Sequence, residues 1–117
     1  MNYEDFTDKE INTMVVKHLP IAFVVGSNFE HESAIMVHTI EEMYKFDPCN
    51  DPKDAWPLIC ESGMSIEMPH PDLGMTGTST IYNPKGDDWI VDFDSTDKSL
   101  RAATGCLLKM KDDKYGN

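Results

Sequence analysis

Four histidines, three cysteines and one arginine have the widest chemical reach in this chain. None of His18, His31, His38 and His70 stands from another histidine or a cysteine at the spacing of a local metal site. Cys49 lies in the polar run Asp47-Pro48-Cys49-Asn50-Asp51-Pro52, whereas Cys60 and Cys106 lie in apolar runs and are expected to be buried. An odd count without a close pair argues against a disulfide framework and for reduced thiols, with Cys49 the most reactive. Asp92-Phe93-Asp94-Ser95-Thr96-Asp97 begins like a calcium loop but puts Asp97 where the sharp turn needs glycine. It also puts Ala103 where a bidentate glutamate is needed. Neither a nucleophile elbow nor a phosphate-binding glycine loop occurs, so no catalytic residue, metal or cofactor is expected.

The remaining candidates are polar or aromatic. Arg101, the only arginine, is placed to pair with Asp97 one helical turn away. Its alternative role is to organise a site on a carboxylate-rich surface, with Asp47 and Asn50 as the groups that would converge on it. Trp56 and Trp89 are expected to pack in or against the core. Asp47, Asn50, Asp54, Trp56 and Arg101 are therefore the candidate interaction or junction residues.

Charge narrows the partners. The chain of 117 residues has a net charge of −11. Residues 1–97 hold 19 acidic and 5 basic side chains, and the later residues hold 2 and 5. Such a field repels nucleic-acid phosphates and anionic lipid, so direct binding to either is not expected. A protein partner with a basic surface is the complementary case. The acidity serves solubility at least.

The elements that must position these residues follow from local pattern. Thr7-Asp8-Lys9-Glu10 has the spacing of a capping box, and Ile11, Met14, Val15 and Leu19 repeat on one face, which predicts a helix over 8–19. Residues 21–25 form a short β-branched run between Pro20 and Gly26, a buried strand. Residues 33–46 fit a helix or a strand and lean towards extended structure. After the double turn of Asp47 to Pro52 a helix must carry Ala55, Leu58, Ile59 and Cys60 to a stop at Gly63. Asp54 is its expected N-cap, because that puts Pro57 in the first turn, where a missing N–H costs little. Met64 to Met68 reads as a strand, 69–79 as a loop, and Thr80–Tyr82 with Trp89–Phe93 as a hairpin. A last helix starts near Asp97, carries Lys98, Arg101, Lys109, Lys111 and Lys114, and leaves a tail, 112–117, expected to fray. The sum is one α+β domain over 1–117, a small, largely antiparallel sheet with about three helices packed on it.

The run from Asp47 to Ile59, continuing to Ser65-Ile66, resembles the central segment of the NinX-like family of bacteriophage proteins. Asn2-Tyr3 with Asp8-Lys9-Glu10-Ile11-Asn12 is similar to that family's opening, and Leu100-Arg101-Ala102-Ala103 to its C-terminal helix. Residues 26–40 and 69–79 match no part of it. The resemblance implies a phage or prophage accessory protein in the cytoplasm of a bacterial host, and it transfers no catalytic residue. The polar, acidic opening lacks the pattern of a secretion signal, and no run has the length of a membrane span. Two functions follow as expectations: a binding protein that modulates a host or phage protein, including the special case of a DNA-mimicking inhibitor, or a small enzyme with an unrecognised site.

Overall fold

The computed structural model describes residues 3–19, 23–26, 34–38 and 42–113. Thr7 opens α1 (Asp8–Val16) with the expected box: its hydroxyl accepts from Glu10 N at 3.1 Å, and Thr7 N donates to Glu10 Oε1 at 3.0 Å. The helix is shorter than the 8–19 expected, because His18 and Leu19 bond back only three residues and tighten the chain into a turn. Ile11, Val15 and Val16 are buried.

β1 (Phe23–Gly26), β2 (Ile35–His38) and β3 (Met43–Phe46) form one antiparallel sheet in that order. The ambiguous stretch 33–46 is thus extended where it is described. The β2 register sets Ile35 opposite Phe46 and Val37 opposite Tyr44, so the buried Ile35, Val37 and Phe46 share the core face.

α2 (Pro52–Ser62) corrects the expected cap. Asp51, not Asp54, is its N-cap, and the Asp51 side chain accepts from Lys53 N at 3.0 Å. Pro52 takes the first helical position, where its fixed φ is already helical and its absent N–H is not needed. Pro57 consequently lies inside the helix. It removes a bond that would run back to Lys53, an exposed residue of the first turn where solvent can replace it. Gly63 closes the helix at φ 70°, and its N–H and that of Met64 bond back to the last turn.

β4 (Ser65–Glu67), β5 (Gly77–Ile81) and β6 (Trp89–Phe93) form a second antiparallel sheet, so Gly77 to Ser79 belong to a strand rather than to the loop expected there. Gly77 is required: a Cβ would come within 2.6 Å of the Phe93 ring and 2.8 Å of the Glu67 carbonyl. α3 (Ser99–Lys111) follows a 3₁₀ turn at Thr96–Lys98.

Every residue of α3 from Ala102 to Leu108 is buried. The helix packs against β5 and β6 and also against α1 and α2, which joins the two sheets through one core. Ser79, wholly buried, bonds the second sheet to α3 by donating to Ala102 O at 3.2 Å. The result is an α+β arrangement, three α-helices and two small antiparallel sheets among the described residues.

Candidate functional site

Two features could serve function: a polar junction under α1, α2 and α3, and a groove beside β6.

The junction gathers four of the five residues singled out by sequence, three directly and one through Asp8. Asp47 N donates to Asp54 Oδ2 at 2.9 Å, so Asp54 fastens the incoming turn instead of capping α2. Asn50 Nδ2 reaches Asp8 Oδ2 at 3.0 Å and Asp47 Oδ1 at 3.2 Å. Asn12, fully buried, donates to Asp47 Oδ1 at 2.8 Å and accepts from Cys49 N at 3.3 Å.

Arg101 does not pair with Asp97 as expected. Its Nε meets Asp8 Oδ1 at 2.9 Å, and its Nη2 donates to the carbonyls of Tyr3 at 2.5 Å and Phe6 at 2.8 Å. The guanidinium fork fits a carboxylate and two carbonyls at once, and the side chain lies across the N-terminal segment rather than along its own helix.

Asp8, Asn12 and Thr104 were not among the residues singled out by sequence. Asn12 had a visible signal: a polar side chain beside Ile11, within one turn of Val15 and Val16. Asp8 had none, since acidic residues are ordinary in a first helical turn.

Cys49 reverses its expected reactivity. It is 1% exposed, its sulfur lies 3.4 Å from Thr104 Oγ1, and burial pushes its thiol up to about 12. Polar neighbours in sequence do not expose a side chain when the turn folds beneath a helix. Cys106 is buried as expected and its thiol is raised by that burial, but Cys60, expected to be buried too, is exposed on α2, whose buried face is Ala55 and Ile59. All three are free thiols.

Trp89 packs in the core as expected, but Trp56 does not. It is 64% exposed, because Ala55 and Ile59 supply the buried face of α2 and Trp56 points away from it.

Chemically the junction is a fastening. Its carboxylates accept from amides and from Arg101, and no buried side-chain nitrogen or oxygen lacks a partner among the described residues. No group of three or more His, Cys, Asp or Glu side chains there could hold a metal ion.

The groove has a volume of about 900 Å³ and runs between α3 and β6. Val91 and Phe93 line it from the strand, Ala102, Gly105 and Lys109 from the helix, and Tyr3 from the N-terminal segment. Arg101 borders it, whereas Asp47 and Asn50 do not; those two meet Arg101 through Asp8 in the junction instead.

Fold and sites together define a small acidic α+β protein with an internally bonded junction and an open groove. No family model matches the chain, and no curated protein or solved structure is significantly similar to it. No helix of the described residues is long and apolar enough to cross a membrane.

Proposed function

We propose that this is a phage or prophage accessory protein that binds another protein, of the host or of the phage, and modulates it without catalysis. The phage context and the bacterial cytoplasm rest on the resemblance of residues 47–66 to the NinX-like family. The binding role rests chiefly on one observation, the exposure of Trp56 on a helix held at both ends by Asp51 and Gly63. A tryptophan left in water costs apolar surface, and fixed exposed aromatics are the usual anchors of protein interfaces. The net charge of −11 suits a partner with a basic surface and disfavours nucleic acid.

The test is affinity capture from phage-infected bacteria with the wild-type chain and with Trp56→Ala. A partner held by the wild type, lost with the variant and weakened by added salt supports the reading. Capture that is indifferent to both would remove it.

A further inference from the structure

β6 is an edge strand of its sheet among the described residues, and its outer side faces the groove. Two observations fix which backbone groups point there. Lys109 Nζ donates to Ile90 O at 2.9 Å, so this carbonyl faces away from β5. Thr78 Oγ1 donates to Asp92 Oδ1 at 3.1 Å across the Thr78–Asp92 pair, the close side-chain approach typical of a non-hydrogen-bonded pair in an antiparallel ladder. Backbone groups alternate along a strand, so the N–H and C=O of both Ile90 and Asp92 are directed to the outer edge.

We propose that this edge takes up an extended segment of a partner protein as an added strand, seated between β6 and α3. Alternate side chains of that strand would enter the groove over Val91, Phe93 and Gly105. Gly105 keeps the helix wall low there, since an added Cβ would already be in contact with Tyr3 and Val91 at 3.9 Å. The other side chains would stand on the open face beside Ile90 and Asp92, both exposed.

Charge chooses the occupant. Asp87, Asp88 and Asp92 are exposed on or next to this strand, while of the cations lining the groove Lys98 is paired with Asp94 at 2.9 Å and Arg101 with Asp8, and the whole chain carries −11. A strand with small apolar residues inward and lysine or arginine outward is complementary, with a cation opposite Asp92. A second copy of this chain would bring −11 against −11, which opposes edge-to-edge pairing. Lys109 holds the Ile90 carbonyl in the free protein and must release it when the added strand supplies an N–H, so it competes with the ligand. Lysine at an edge is also a known guard against unwanted pairing.

The inference shares with the proposed function only the premise of a protein ligand and does not use Trp56. The test is titration of the isotope-labelled full chain with a short peptide alternating valine and lysine, followed by amide NMR shifts and hydrogen exchange. The shifts should fall on residues 89–94 and on the groove face of α3, with slowed exchange at the Ile90 and Asp92 amides. A peptide with proline at the central position, or with glutamate for lysine, should bind about tenfold more weakly or not at all. Asp92→Lys should weaken the valine–lysine peptide similarly, and Lys109→Ala should tighten it. Shifts elsewhere, no shifts, or equal binding of the proline peptide would overturn the proposal. Self-association of Lys109→Ala without tighter peptide binding would also overturn it and leave Lys109 as a guard alone. If a partner captured from cells is not displaced by the peptide, the groove assignment fails while the binding function stands. If no partner is captured and the peptide binds as described, the reverse holds.

Discussion

Arg101 Nε lies 2.9 Å from Asp8 Oδ1, so the only arginine of the chain ties the first turn of α1 to α3. The same guanidinium serves the Tyr3 and Phe6 carbonyls. Arg101→Lys should therefore destabilise almost as much as Arg101→Ala, because an ammonium cannot reproduce the fork. The pair is partly solvated, which limits the loss to about 1–3 kcal/mol. Urea midpoints measure it; a lysine variant as stable as wild type would show that charge alone suffices.

Asp51 and Asp54 have separate duties that a pair of alanine variants can resolve. Asp51→Ala removes the α2 cap and should cost about 0.5–2 kcal/mol with some loss of helical circular dichroism. Asp54→Ala frees the Asp47 amide instead and should destabilise without shortening the helix. Helix loss with Asp54→Ala and none with Asp51→Ala would return the cap to Asp54.

Asn12 is buried between Asp47 and Cys49. Asn12→Leu should cost about 1–3 kcal/mol, because the Cys49 N–H and the Asp47 carboxylate lose a partner where solvent replaces it poorly. A thermal or chemical denaturation curve that does not move would show that the turn can rearrange.

Thiol labelling should mark Cys60 at once, and Cys49 and Cys106 only on unfolding. The raised Cys49 thiol also predicts an alkaline limit. Its contribution to stability is complete below the ordinary thiol value of 9.0 and is lost as pH rises towards about 12. Cys49→Ser should reduce that alkaline slope. Fast labelling of Cys49 in the folded protein would contradict the buried turn.

His18 sets an acid dependence of the opposite sign. Burial, with help from Lys111 and Lys17, holds its imidazole below the usual 6.5. The neutral ring therefore favours the folded state, with full effect above 6.5 and loss as pH falls below it. His18→Gln should flatten stability through that window, and an unchanged pH profile would assign the slope to other groups.

Much of the secondary structure was legible because its causes are local. Thr7 and Glu10 cap α1 from positions three apart, Gly63 closes α2 through its own positive φ, and the β6 strand pattern needs only its alternation. The α+β class follows from these pieces, whichever way the strands divide between sheets.

Three assignments went astray where a local rule met a non-local one. The cost of Pro57 in a helix interior argued for the Asp54 cap, but Pro52 favours a start one residue after Asp51. The Asp54 carboxylate was also claimed by Asp47. Arg101 had a carboxylate one turn away, yet two carbonyls and Asp8 brought by the N-terminal segment offer it more bonds. Cys49 is polar by its neighbours and buried by the elements over it.

The sequence by itself determined the acidity, the α1 capping box, the Gly63 stop of α2 and most of the succession of helices and strands, since each depends on composition or on residues within a turn of one another. Tertiary structure alone decided that Trp56 stays in water, that Cys49 does not, and that β6 ends its sheet beside a groove among the described residues. Those outcomes depend on which faces α3 covers, and that is a matter of packing between segments far apart in the chain, which no local pattern encodes.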